Sequence, residues 1–196
     1  MKIGDKREKI IHSAIYIFAE KGFHEAKISE IAENAGVADG TIYLYFKNKT
    51  DILLAIFEEE VAKIITKINQ RLITADDPLE KLRIFVKLYF NMLMNNKDLA
   101  LLLQTELRRG NEYIKEYYEH KFSEYLKIIF DFITEGQNKK IFREDLNPDF
   151  VASAIYGAID EVSRLVFFSP DKKYNFNLII DQLNDLFIKG LVKKSD

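Results

Sequence analysis

The chain has no cysteine and no tryptophan, and only three prolines and eight glycines among its 196 residues. Without cysteine there is no disulfide, no thiolate nucleophile and no thiolate-held metal. Charge of one sign is missing too: 29 basic residues stand against 31 acidic ones, a formal net charge of −2. That balance argues against indiscriminate binding to polyanions. No apolar run approaches the roughly 18 residues of a membrane span. The segment Met1 to Lys9 is charged and lacks the apolar stretch of a signal peptide, so the reading is a cytoplasmic protein with no membrane partner. Catalytic patterns are also lacking. His12, His24 and His120 are widely spaced, and there is no HExxH, glycine-rich phosphate loop, GxSxG or paired Glu-x-x-His. These absences predict no catalytic residue, no metal and no cofactor.

The residues that are present predict a folded helical protein. Hydrophobic content of 47% and charged content of 31% suffice for a core under a solvated surface. Fifteen Phe and ten Tyr require part of that core, or a cavity wall, to be built from aromatic rings. Apolar residues recur at three- and four-residue spacing throughout, and strand-like alternation never persists. The fold class is therefore all-α, with about nine helices expected near 5–21, 29–34, 39–45, 49–71, 79–95, 99–107, 112–135, 148–167 and 175–189. Gly22, Gly36 and Gly136 stand where helix-ending glycines belong. Asn48 is placed to cap the fourth helix, and Asp76 or Asp77 to cap the fifth, with Pro78 in its first turn. The stretch 137–146 is polar and reads as a surface connection.

Two short helices separated by Gly36 form a helix-turn-helix signature. Ile42 and Phe46, four apart, point to the core. Asp39, Gly40, Thr41 and Tyr43 then lie on the exposed leading part of the third helix. A recognition helix needs this arrangement, with a few side chains reaching base edges while neighbours hold phosphates. Gly40 removes a side chain and lets the helix sit deep. Thr41 suits a phosphate or base edge, and Tyr43 offers a ring to thymine methyls or sugar. Residues 1–50 hold eight basic and seven acidic residues, so a DNA surface depends on arrangement rather than excess. Lys27 and Lys47 are candidate phosphate contacts. Asp39 is repelled by phosphates but accepts from a cytosine amine, which predicts a role in base reading and in penalising other DNA. Ala26 and Lys27 carry no hydroxyl to cap the second helix; Ser29 does if that helix begins later.

These residues also carry a resemblance. Ile10-Ile11, Ala14, Phe18-Ala19-Glu20-Lys21-Gly22-Phe23, Ile31-Ala32, Ala35-Gly36-Val37, Gly40 through Phe46, Lys49 and Asp51-Ile52-Leu53 resemble the TetR family of bacterial transcriptional repressors. The resemblance implies a DNA-binding domain at 1–50 and a ligand-binding and dimerisation domain at 51–196. It also implies a homodimer on palindromic duplex DNA, repression of transcription, and Tyr45 and Lys49 as clamps on the DNA backbone. Ala26 and Lys27 depart from it, since family members usually carry Thr or Ser there. By pattern alone, the broad apolar faces of the last two helices fit either a closed monomer or a four-helix interface between two subunits. The resemblance favours the second, through Val151, Ala154, Ala158, Val162, Leu183, Leu186 and Phe187.

Within that family, three stretches are similar to the fatty-acid-degradation repressors of Bacillus-type bacteria: Val37 to Lys49 with Asp51-Ile52-Leu53, Gln104 to Arg108 with Asn111, and Gly157 to Glu161. That likeness implies long-chain acyl-CoA as the effector. Such a ligand needs an apolar tunnel with cations at its mouth. Fourteen buried methylenes would contribute on the order of 10 kcal/mol before the costs of binding. The expected wall comprises Phe85, Leu88, Tyr89, Met92, Leu103, Leu107, Phe122, Leu126, Ile155 and Ile159. The expected mouth is Arg108 and Arg109, with Lys115 and His120 as further cations. Two other readings stand beside this one: a related repressor sensing a different hydrophobic or aromatic molecule, and a helical interaction protein that ignores DNA.

Overall fold

The computed structural model describes residues 3–108, 112–168 and 174–193, without the side chains of 3–5, 107, 108, 112–114, 116–121, 167 and 168. Among the described residues there are nine helices: α1 (Ile3–Lys21), α2 (Ile28–Ala35), α3 (Asp39–Ile42), α4 (Lys49–Leu72), α5 (Pro78–Asn95), α6 (Lys97–Arg108), α7 (Glu112–Asn138), α8 (Pro148–Phe168) and α9 (Phe176–Leu191). The only extended pairing among them is one antiparallel bridge between Phe142 and Val192. The all-α expectation therefore holds among the described residues.

By packing, the chain falls into two compact units: residues 1–63 with 96–119, and residues 64–95 with 120–196. The core of the first is built from the apolar stripe of α1 (Ile10, Ile11, Ala14, Phe18), from Ile31, Ile42 and Phe46, and from Ile52, Leu53, Ile56 and Phe57 of α4. Leu99 and Leu102 of α6 complete it, so α6 packs on α1. A cleft of about 250 Å³ lies there, lined by Phe18 to Gly22 and by Leu101, Leu102, Thr105 and Glu106. The second core joins α5 (Leu82, Phe85, Val86, Tyr89, Phe90), α7 (Tyr125, Ile129, Phe132, Ile133), α8 (Ile155, Ile159) and α9 (Ile180, Leu183).

The expected end of α7 needs correction. Gly136 does not stop the helix but lies inside it, buried, two residues before its end. A Cβ at Gly136 would come within 2.0 Å of the Phe142 ring. The glycine is there to admit that ring, not to break the helix. The stretch 137–146 is likewise more than a polar connection. Phe142 is fully buried, and the Gln137 side-chain amide donates to the carbonyls of Arg143 and Leu146, both at 2.8 Å. The Arg143 N–H donates to Leu191 O at 2.8 Å and the Lys193 N–H to Ile141 O at 3.2 Å, stitching this stretch to the end of α9.

Candidate nucleic-acid interface and effector region

The turn between α2 and α3 follows from Gly36. Its φ of 66° lies in the left-handed region that glycine enters without strain. The Gly36 N–H donates to Glu33 O at 3.1 Å and the Val37 N–H to Ala32 O at 3.0 Å. This bond pair is a Schellman stop, and it satisfies carbonyls that α2 would otherwise leave open. At the other end, α2 begins at Ile28, ahead of Ser29, so Ser29 does not supply the cap considered for it. Glu30 does part of that work. Its Oε2 accepts the Lys27 N–H at 3.0 Å, while Oε1 accepts from Lys21 Nζ at 2.8 Å. Those bonds hold the Glu30 carboxyl below its ordinary range, the Lys21 bond first.

Helix α3 is shorter than the expected 39–45. After Ile42 the chain tightens: the Leu44 N–H donates to Thr41 O at 3.2 Å and the Tyr45 N–H to Ile42 O at 2.9 Å. These three-residue bonds make a tight turn. Its buried side is Ile42 and Phe46. Its outer side is Asp39, Gly40, Tyr43, which is 57% exposed, and Leu44, which is 80% exposed. Thr41 is half-buried. A Cβ at Gly40 would meet nothing within 4 Å, so the chain's own packing does not require glycine at this position. No side chain caps α3 at Ala38. Tyr45 is half-buried against the first core. Lys27 and Lys47 are exposed.

Lys49, expected as a clamp on DNA, has partners within the chain. Its Nζ donates to His24 O at 2.7 Å and Ala26 O at 2.8 Å, and lies 4.9 Å from the Phe23 ring centre. The ammonium thus ties α4 to the α1–α2 loop, and burial lowers its pKa. Next to it, Asn48 Oδ1 accepts the Asp51 N–H at 2.9 Å, the cap expected from the sequence. Asp51 Oδ2 accepts the Lys47 N–H at 3.0 Å. Arg7 of α1 bonds Glu59 of α4 at 2.5 Å and lies over Phe46, bracing the rear of the module.

In the second unit, Phe85, Tyr89, Ile155 and Ile159 are buried together, with Leu88, Met92 and Leu126 half-buried against them. Phe122 packs edge-on against Tyr156, ring centres 4.8 Å apart. Leu103 does not join them; it packs on the first core, because α6 belongs there. Leu107 and Arg108 are helical, but their side chains, like that of His120 and all of Arg109, lie outside the described residues. Lys115 is exposed. Sequence reasoning missed the polar centre of this region. Tyr89 Oη donates to Asp160 Oδ1 at 3.1 Å. Tyr125 lies between the rings of Phe85 (5.3 Å), Tyr156 (5.6 Å) and Tyr89 (6.5 Å). Burial pushes both the Tyr89 and Tyr125 hydroxyls well above the ordinary tyrosine range. The one available signal was a tyrosine at a core-facing position of α7, between Phe122 and Ile129.

On α8 and α9, Leu183 is buried, and Val151, Ala158, Val162 and Phe187 are half-buried. Ala154 and Leu186 are exposed, Leu186 by 64%. Leu165 and Leu178 add to this outward apolar face, and a Cβ at Gly157 would meet only open space.

Comparison with known proteins agrees with the geometry. Residues 10–56 match the family described as bacterial regulatory proteins, TetR family, and residues 57–190 match that described as YsiA-like protein, C-terminal region. The fatty acid metabolism regulator protein of Bacillus subtilis is 33% identical over 189 residues, covering 96% of this chain and 97% of that protein. The fatty acid degradation regulator FadR of Bacillus halodurans superposes with a TM-score of 0.85 at 35% identity, covering 94% of this chain and 98% of that one. FadR of Bacillus subtilis, solved in complex with stearoyl-CoA, gives 0.85 at 34% identity over 93% and 98% of the two chains.

Proposed function

The chain belongs to the TetR family of bacterial regulatory proteins, and from that membership we propose that it represses fatty-acid-degradation genes and leaves its operator when long-chain acyl-CoA binds. It is a DNA-binding regulator related to the fatty-acid-responsive repressors, not an enzyme. The single observation carrying the effector reading is its whole-length likeness to a regulator crystallised with stearoyl-CoA. The second unit supports it with an interior of aromatic and aliphatic side chains from α5, α7 and α8. Arg108 and Arg109 remain the cations proposed for the effector's phosphates.

The protein acts as a homodimer through the apolar face of α8 and α9, so that two α3 turns meet successive major grooves of a palindrome. Gly40 and Tyr43 make the close approach, with Lys27 and Lys47 on phosphate and Asp39 reading a base. Release is a coupling between two binding events, so it is reciprocal. Stearoyl-CoA should weaken operator binding, and the operator should weaken stearoyl-CoA binding by the same factor. Gel retardation and calorimetry on the same duplex test this; equal ligand affinity with and without DNA would reject it. For Asp39, substitution by Ala should lower the ratio of specific to random-duplex binding. An equal change on both duplexes would remove its reading role.

A second reading is favoured by the rings of Phe85, Tyr89, Tyr125, Tyr156 and Phe122, which would equally suit an aromatic effector. Displacement of bound stearoyl-CoA by planar aromatic compounds at micromolar concentration would support it.

A further inference from the structure

Two tyrosine hydroxyls lie in the interior of the second unit, and they are not equivalent. The Tyr89 proton is committed to the Asp160 carboxylate at 3.1 Å. Tyr125 is only 8% exposed, its hydroxyl oxygen is sealed from solvent, and among the described residues it has no hydrogen-bond partner. A phenol buried without an acceptor forfeits the hydrogen bonds it makes to water in the unfolded chain. Phenylalanine would fill the same space without that cost. The hydroxyl therefore calls for an explanation from function rather than packing. Its surroundings are the rings of Phe85 and Tyr89 from α5 and of Tyr156 from α8, the helix that also contributes Ile155 and Ile159.

Resting on the acyl-CoA reading above, we infer that the Tyr125 hydroxyl donates a hydrogen bond to an uncharged acceptor oxygen of the effector, the carbonyl of its thioester. Tyr125 is then a specificity-determining residue that separates the activated acyl chain from the free fatty acid. The charge pattern sets that preference. Asp160 accepts the Tyr89 hydroxyl at 3.1 Å and acts electrostatically on both tyrosines. A second carboxylate, that of a free fatty acid, would meet a like charge at half-buried Asp160. A thioester carbonyl accepts a hydrogen bond without bringing charge. Stearate is thus discriminated against by the group beside Tyr125, and an alkyl thioether lacks the oxygen that Tyr125 needs.

The test uses the full chain, unaltered and as Tyr125→Phe, with stearoyl-CoA, its thioether analogue S-octadecyl-CoA, and stearate, measured by calorimetry. The unaltered chain should bind the thioester about tenfold more tightly than the thioether, the effect of one good hydrogen bond. Tyr125→Phe should erase that difference by weakening the thioester alone, and should unfold at the same or higher urea concentration. Stearate should bind at least tenfold more weakly than stearoyl-CoA to the unaltered chain. Equal affinity of the unaltered chain for thioester and thioether would overturn the assignment even if the variant failed to fold. So would equal weakening of both ligands by Tyr125→Phe, which would mark a packing role. If neither CoA derivative bound the unaltered chain, the acyl-CoA reading itself would fall, and this inference with it.

Discussion

Tyr43 and Tyr125 are the same residue type used in opposite ways. Tyr43 stands at the surface of the first unit, 57% exposed, in the turn that closes a four-residue helix, next to buried Ile42. Tyr125 is enclosed by rings in the second unit, with its hydroxyl unpaired among the described residues. The proposed DNA contacts of the first unit lie on a short, tightly stopped turn over a buried core. The proposed effector contacts of the second lie inside it. A surface site is separable from stability, because its side chains support nothing beneath them. An interior site is not, because each wall residue is also core.

That contrast sets the expected effects, the largest first. Phe85→Ala removes the fully buried ring that touches both Tyr125 and Phe132, and should cost about 4 kcal/mol in urea unfolding. It should also abolish the response to stearoyl-CoA. A loss of response with full stability would break the contrast. Lys49→Met should cost about 2 kcal/mol, since two charge-assisted bonds to loop carbonyls disappear. The salt dependence of operator binding should stay the same. A slope shallower by about one unit would show Lys49 on phosphate instead.

Gly40→Ala is the cleanest separation of the two properties. With nothing within 4 Å of the new Cβ, folding stability should hold or rise by about 0.5 kcal/mol. Operator binding should fall about tenfold if the helix seats deeply, as retardation assays would read. Undiminished binding would remove Gly40 from the interface. The smallest effect is electrostatic. Glu135 bonds Lys139 at 2.7 Å and Lys81 at 2.5 Å, and these bonds lower its pKa, Lys139 first. A lowered carboxyl adds stability above its unfolded pKa and loses it as pH falls through the folded value. Glu135→Gln should therefore cost under about 1 kcal/mol at neutral pH, and the gap to the unaltered chain should close in acid.

Legibility followed the same division. Local chemistry was readable wherever one residue type has few reasons to stand in a position. Gly36 in the turn, Asn48 before α4, and the Ile42–Phe46 pair all lie where the spacing placed them. The carbonyl partners of Lys49 were not legible, because a lysine in a DNA-binding module reads as a phosphate contact and His24 O and Ala26 O lie more than twenty residues away. Gly136 was misjudged for the same reason: its purpose is Phe142, and a glycine that makes room looks identical to one that ends a helix. In the second unit, spacing showed that Phe85, Tyr89, Ile155 and Ile159 face inward, and no more. That Tyr89 finds Asp160, 71 residues on, depends on how helices cross, which periodicity does not encode.

The stitching of Ile141 and Arg143 to Leu191 and Lys193 makes the end of α9 an anchored seam rather than a fraying tail. Arg143 adds a guanidinium bond to Gly190 O and a pair with Asp145. Amides at Arg143 and Lys193 should accordingly exchange with deuterium as slowly as those of the helix interior. Trimming the chain back to residue 189 would open a gap beneath the Phe142 ring.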